Sequence, residues 1–576
     1  GSQCNVRTDR DLKTAAVRFE HEGLSFLTIA LPAFATELQK AFVAEACGPN
    51  MFPGFARHAE LPKFLGGFLD RVFDRESGRL LDDPDVDCIF AIRQVTMAFG
   101  KIELPCSDAR NARAIDGFLE CEKAVRQVDK SFDDAAYAEF RRVGLLLFGD
   151  ALDSVQLQMQ HEGGLPPRHG PGKTADRLDG NAKYDQREWT QRLESVCPYG
   201  DYVLPNWRFY YRLEEVDFLE PGSERPVRVT LVPKTLKTPR IIAVEPTAMQ
   251  WIQQSVARPL VRALERSHVQ SLIGFTDQVP NQQMAVRGSA RGDLATLDLS
   301  EASDRVSNQH VRQLFRAHSL LREVVEACRS RKADVPGHGV IRLAKFASMG
   351  SALCFPVEAM VFLTIVFMGL QDAQRRQFAR RDVKSYAGRV RVYGDDIIVP
   401  VDSVPYVIDR LESFGLKVNV NKSFASGKFR ESCGVDAYAG VDVTPVRVRH
   451  AFPSRRSDVR AVVGTSALRN LLNAKGLFRT ARWLDEQVML PILGGHYPYV
   501  EPTSAAIGRT SFLPIPQGTG WDDDLHRPMV KAWRSHSEPP KSTCSGEGAL
   551  VKFLVKDSGL PSADPKHLER YGRPKS

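Results

Sequence analysis

Two adjacent carboxylates, Asp395 and Asp396, stand at the tip of an apolar strand-turn-strand. Arg389-Val-Arg-Val-Tyr393 leads in, Gly394-Asp395-Asp396 makes the turn and Ile397-Ile-Val-Pro-Val401 leads out. Asp is a common turn residue, but a pair flanked by β-branched runs gathers negative charge at one end of a sheet. A second acidic group lies upstream in Thr296-Leu-Asp298-Leu-Ser-Glu-Ala-Ser303-Asp304-Arg305. There Asp298 closes a short apolar strand, Asp304 follows, and Ser300 between them offers a helix cap. Strand-end carboxylates on separate strands can converge on one site. Magnesium binds through one or two carboxylates plus substrate phosphates, and two such ions about 3.5–4 Å apart activate an attacking oxygen and stabilise a leaving one. Asp298, Asp395 and Asp396 are the candidates for that clamp.

Counter-charges for a phosphate substrate stand in Val232-Pro-Lys234-Thr-Leu-Lys237-Thr-Pro-Arg240, where three cations recur at three-residue spacing. The prolines predict an extended segment before a β-branched strand. Such cations can hold a triphosphate and balance charge on a leaving pyrophosphate. Taken alone, the same pattern reads equally as a basic surface strand.

The elements that must carry these residues alternate. Strands are expected at Val227 to Val232, Arg240 to Val244 and Ala295 to Leu299, and helices at Ala248 to Glu265 and Asn308 to Arg329. This order indicates an α+β or α/β core in the middle of the chain. Upstream, Leu27 to Cys47, Asp108 to Val128 and Asp133 to Leu152 read as helices. His161 to Lys183 reads as a long Gly/Pro-rich loop whose Lys, Arg and His are candidates for phosphate contact. The apolar run Leu353 to Leu370 contains Pro356 and Glu358, which favours a buried helix over a membrane span. Helices return after about residue 450, and from about Pro539 the chain turns polar and Gly/Ser/Pro-rich.

Composition fits this organisation. Over 576 residues, 78 Lys+Arg against 70 Asp+Glu give a net charge of +8, with 43% hydrophobic and 26% charged residues. Those proportions exclude a disordered, collagen-like or coiled-coil chain, and a pI near 8.9 suits an acidic partner such as nucleic acid. None of the 10 cysteines has zinc spacing to another Cys or His. Neither a structural zinc nor a disulfide framework is expected, nor is a secretory signal, so a reducing cytoplasm is the expected compartment.

Taken together, KTLKTPR at 234 to 240, DLSEASD at 298 to 304, SMGS at 348 to 351 and YGDD at 393 to 396 resemble motifs F, A, B and C of viral RNA-dependent RNA polymerases, in the family's order. LATLDLSEASDRVS and FRESCGVDAYAGVDVTPV narrow the resemblance to the levivirus, narnavirus and ourmiavirus group. Motif B departs from the phage pattern, having Ser351-Ala-Leu-Cys-Phe-Pro-Val where the phages have Asn-Gly and Phe-Glu-Leu. With the 168 to 184 segment, this looks most like the ourmiavirus branch. The resemblance covers roughly residues 160 to 450.

The resemblance implies an α+β right-hand polymerase with an antiparallel palm sheet. Its expected parts are a helical N-terminal extension (1–160), fingers with the basic motif (161–290), palm (291–445), and thumb with C-terminal tail (446–576). It implies Asp298, Asp395 and Asp396 as ligands of two Mg²⁺ ions, with Mn²⁺ able to substitute. It makes Lys234, Lys237 and Arg240 triphosphate contacts, and places Ser303, Asp304, Ser348 and Gly350 where the family reads the ribose and positions the template. A motif D lysine, Lys422 in preference to Lys417, becomes the proton donor to pyrophosphate, and Phe429 to Gly434 resembles motif E, which supports the growing 3′ end. The implied partners are template and product RNA and NTPs, with host protein subunits as further candidates. The implied place is the cytoplasm of a host cell. A reverse transcriptase predicts a bulky side chain below the ribose instead of Ser303-Asp304, and an inactive RNA-binding relic predicts loss of the aspartates.

Overall fold

The computed structural model describes residues 1, 3–160, 164–170, 172–178, 180–513, 518, 520–538, 544–557 and 573–575. At its centre is an antiparallel three-stranded sheet in which Asp396–Pro400 runs between Arg391–Tyr393 and Leu294–Asp298. The apolar run Ile397-Ile398-Val399 is continuous because both faces of this strand are covered. Ile398 packs with Met284 of the helix Val279–Arg291 and with Leu294. Ile397 and Val399 enter the main core with the helix Cys354–Gln374. That helix is buried along nearly its whole length, Glu358 included. By length and composition it could cross a membrane, as could Phe26–Ala44, yet 94% of its apolar window lies inside the protein.

A four-stranded sheet holds the basic segment. Its order is Arg240–Val244, Val227–Val232, Lys332–Val335, Gly339–Arg342, with antiparallel pairs at both ends and a parallel pair in the middle. A third, antiparallel sheet joins Phe429–Ser432, Val435–Tyr438 and Val441–Asp442. Helices packed on mainly antiparallel sheets make the fold α+β.

The first 160 residues share every core they enter. Phe26, Phe34, Phe42 and Ile89 form one cluster with Phe424, Phe429 and Tyr438. Ile115 and Phe118 pack on the four-stranded sheet, and Phe140 to Val155 join the central core. A fully buried ion pair, Arg93 with Asp436, ties the same two regions.

Two local expectations are corrected. The helix expected over Asn308 to Arg329 is two, Asn308–Leu314 and Ser319–Ala327. The break comes at His318, which is buried 3.2 Å from Asp153 and leaves helical geometry to get there. Ser300 caps no helix, because the chain still runs along the sheet. Leu299 bridges Val418, the Ser300 N–H donates to the Lys417 carbonyl, and Ser307 is the cap.

Candidate functional site

Asp298 and Asp396 stand directly opposite each other at the end of the central sheet. Asp396 also pairs with Tyr393, so the turn is Gly394-Asp395 alone, one residue tighter than the sequence suggests. Gly394 has φ +59°, and a Cβ there would lie 2.5 Å from the Phe355 ring, so only glycine fits. Asn419 Nδ2 donates to Asp298 Oδ2 at 2.8 Å, and Lys422 Nζ lies 3.6 Å from Asp298 Oδ1. Ser432 Oγ donates to Asp396 Oδ1 at 3.3 Å from the turn of the Phe429–Tyr438 hairpin, where Cys433 adds its main-chain N–H.

These acids disfavour one another's ionisation. Burial and then the Asp395 charge push Asp396 up to about 6. Burial also raises Asp298, against the pull of Lys422 and with the push of Asp395. A group of partly buried carboxylates held in this state is relieved by a cation. Among the described residues no three His, Cys, Asp or Glu form a ready-made cage. The hard oxygen donors of the facing pair nevertheless fit magnesium, which completes its shell from substrate phosphates and water.

The basic segment is the loop of a hairpin, because Val232 pairs with Arg240 across it. Thr235 and Thr238 close the loop on itself, and Arg110 from the N-terminal region donates to the Leu236 carbonyl. Lys234, Lys237 and Arg240 are all exposed. The protein packed around the exposed Lys234 partly desolvates its ammonium and, with the neighbouring Arg240 and Lys422, lowers its pKa, while Asp395 and Asp298 oppose them, so this ammonium lies in the field of the acids. Of the two candidate lysines downstream, Lys422 is the one at the acids. Burial works against its charge, but Asp298, Glu431, Asp395 and Asp396 outweigh it and raise the pKa. Lys417 instead acts on Glu301.

Asp304 stands on a short 3-10 turn, Ser303–Arg305. Its Oδ1 accepts from Ser348 Oγ at 2.8 Å and from Lys345 Nζ at 3.1 Å. Ser303 is buried with its hydroxyl on Cys354. Gly350 has φ +132°, and a Cβ there would overlap the Ala243 carbonyl oxygen. The Ala243 N–H donates to the Met349 carbonyl, which locks this segment to the strand that follows the basic loop.

Several contributors escaped the sequence. Asn419, Ser423, Ser432 and Cys433 support the acids; the first two are short polar loop residues with no spacing signal, and the last two lie in the Phe429 to Gly434 segment, whose resemblance pointed to the 3′ end rather than to the acids. Lys101 lies in the field of Lys422, Arg447 and Arg449, and burial followed by repulsion from Arg447 brings it to about 8. In the 161 to 183 loop, His161 and residues 162, 163, 171 and 179 lie outside the described residues. His169 packs at a tilt on Trp251, with ring centres 4.1 Å apart, and burial lowers it to about 3, so it stays neutral. Lys183 is buried on the carbonyls of Gly170 and Gly172. Both are structural. So is Arg447, held 3.6 Å from Asp436.

Residues 223–463 match the family model described as RNA replicase, beta-chain. The RNA-directed RNA polymerase beta chain of Escherichia phage MS2 is 37% identical over 221 residues, 38% of this chain and 37% of that protein. The beta subunit of Escherichia virus Qbeta is 36% identical over 227 residues, 39% of this chain and 36% of that one. The chain thus matches little more than a third of the length of these curated relatives. Among solved structures, the RNA-dependent RNA polymerase of BmCPV at elongation state aligns over 69% of this chain and 36% of that one, at 9% identity and TM-score 0.34. The insertion-loop deletion mutant of the polymerase of a human picorbirnavirus aligns over 47% and 57%, at 12% identity and TM-score 0.30.

Proposed function

We propose that this chain is an RNA-directed RNA polymerase that copies a viral RNA genome. The reaction is attack of an RNA 3′-OH on the α-phosphate of an NTP, with pyrophosphate leaving. The observation that carries the reading is the register that sets Asp298 against Asp396, with Asp395 on the adjoining turn and Lys422 and Lys234 in the same field. Levivirus-type relatives over the segment that holds these residues support it.

In this reading Asp298, Asp395 and Asp396 hold two divalent ions, Mg²⁺ or Mn²⁺, which when bound lower the pKa of the attacking hydroxyl and neutralise the leaving phosphate. Lys234, Lys237 and Arg240 bind the triphosphate from the hairpin loop. Lys422, poised beside Asp298 and kept charged by the acids, delivers a proton to the departing pyrophosphate. Asp304, oriented by Ser348, accepts from the ribose, and Gly350 lets the backbone approach the template closely. The sheet of Asp298 and Asp396 is the palm, the basic hairpin belongs to the fingers, and the helices after about 446 are the thumb. Template and product RNA are the partners, host proteins are candidate subunits, and the host cytoplasm is the setting. Within the levivirus-type group, the motif B variant Ser351-Ala-Leu-Cys-Phe-Pro-Val is what supports an ourmiavirus-side reading, while the curated relatives are phage replicases.

Primer extension on a generic RNA template tests the reading. The wild-type chain is expected to incorporate NTPs in a magnesium-dependent way, and Asp395→Asn to lose incorporation while keeping its circular dichroism and thermal transition. Extension by Asp395→Asn near the wild-type rate sinks the metal assignment. No extension by the folded wild type on primed and unprimed templates sinks the polymerase.

A further inference from the structure

Lys345 is a lysine with no exposed surface. Its ammonium lies 3.1 Å from Asp304 Oδ1, 3.9 Å from Glu122 Oε2 and 3.4 Å from the centre of the Phe118 ring. Burying an ammonium is costly unless carboxylates and a ring face compensate it, and all three compensating groups are present. Two of them, Glu122 and Phe118, belong to the long helix Asp108–Ser131, which lies outside the segment matched by the replicase family.

The backbone on both sides of Lys345 is held by side chains. Arg329 donates to the carbonyls of Leu343, Lys345 and Phe346. On the other side the Ala344 N–H donates to Glu122 Oε1. The same helix reaches the loop that carries Asp304, through Cys121 Sγ 3.4 Å from Glu301 Oε2 and through Asp129 accepting from Ser307. The helix therefore clasps both segments that meet at Asp304.

The consequence falls on one carboxylate. Asp304 Oδ1 is occupied by Ser348 and Lys345, while among the described residues Oδ2 has no hydrogen-bond partner and is not among the buried unsatisfied atoms. An ionised carboxylate accepts only, so the free oxygen calls for a donor such as a hydroxyl. We infer that the Glu122–Lys345 pair is a positioning device that fixes Asp304 with Oδ2 toward the nucleotide sugar, so that a helix of the N-terminal region sets the preference for NTP over dNTP. This rests on the reading of Asp304 as the ribose acceptor. Lys345 itself is sealed from the nucleotide and acts only through Asp304.

The test is single-nucleotide incorporation with matched NTP and dNTP, read as the ratio of their kcat/KM values, in wild type, Asp304→Ala, Lys345→Met and the double variant. The expected result is a ratio reduced about tenfold by Lys345→Met, comparable to Asp304→Ala, with no further reduction in the double variant. A general loosening of the fold would lower both kcat/KM values and leave the ratio in place. Should Lys345→Met fail to fold with Glu122 unpaired, Glu122→Gln with Lys345→Met removes both buried charges and is expected to give the same ratio. An unchanged ratio in the folded lysine variant, or a reduction that adds to that of Asp304→Ala, overturns the inference while Asp304 keeps its role. An unchanged ratio in Asp304→Ala by an active enzyme removes the ribose reading and this inference with it, and an inactive wild type removes the polymerase reading first.

Discussion

Gly350 shows how tightly single residues are specified around the site. Its φ of +132° and the carbonyl of Ala243 leave no room for a methyl group. Overpacking against backbone and a backbone angle closed to other residues together cost about 3 kcal/mol or more. Gly350→Ala is therefore expected to lower the urea midpoint of unfolding, and to lose nucleotide incorporation in whatever folded fraction remains. Wild-type stability would show that the Gly350 segment can move away from the strand Arg240–Val244. At this scale the sequence was most legible where charge is concentrated: Asp298, Asp395 and Asp396 stood out because acids at strand ends are rare in apolar runs. Asn419 and Ser432 did not, since a short polar residue in a loop or at a strand end looks the same whether it touches one of these acids or water. Lys345 was hidden for a different reason, because a lysine is read as surface until its partners are known.

Among the elements, the junction between the strand Arg240–Val244 and the helix Thr247–Leu264 carries a buried acid with a measurable signature. Glu245 accepts from Ser330 Oγ at 2.5 Å, and burial raises it to about 7, against the help of Ser330 and Gln253. Its folded pKa lies above the usual 4.5, so the folded state prefers the proton. The penalty is absent below about pH 4.5, grows as pH rises toward 7 and is complete above it. It amounts to about 3 kcal/mol. Glu245→Gln, which keeps the shape and an acceptor, is expected to flatten the pH dependence of denaturant stability over this window and to exceed wild type above pH 7. Equal pH profiles for the two proteins would mean that water reaches the carboxyl. Elements were legible wherever a regular period ran long enough, as in the hairpin of Asp395 and the helix Cys354–Gln374. The break at His318 was not, because a buried histidine anchored on Asp153 is a tertiary contact that overrides a helical pattern.

The whole molecule carries only +8, yet Lys234 and Lys422 lie in the field of the acids, and Lys101 lies in turn in the field of Lys422 and Arg449. If this is where RNA phosphates lie, binding of a single-stranded RNA releases several counterions. Affinity is expected to fall about a hundredfold between 50 and 200 mM salt. A filter-binding titration that stays flat over this range would remove the basic field from the RNA path. The central arrangement was readable from motif order, because antiparallel neighbours with acids at their ends have few ways to pair. The role of the first 160 residues was not. Their apolar faces announce helices but say nothing of which surface they cover, and the answer lies hundreds of positions away in Phe429, Tyr438 and Asp436.

That shared core dictates an order of events at the ribosome. Phe42 stacks on Phe429 and packs at a tilt against Tyr438, and Arg93 meets Asp436 across 343 positions of chain. At a synthesis rate of about 5–20 residues per second, the N-terminal helices wait roughly 20–80 s for the hairpin that completes their core. During that wait their aromatic faces are open to self-association, and the acids on Asp298 and Asp396 are still without their supporting turn. Recombinant yield is therefore expected to rise with slower growth or added chaperone, which act on this interval more than on the finished protein.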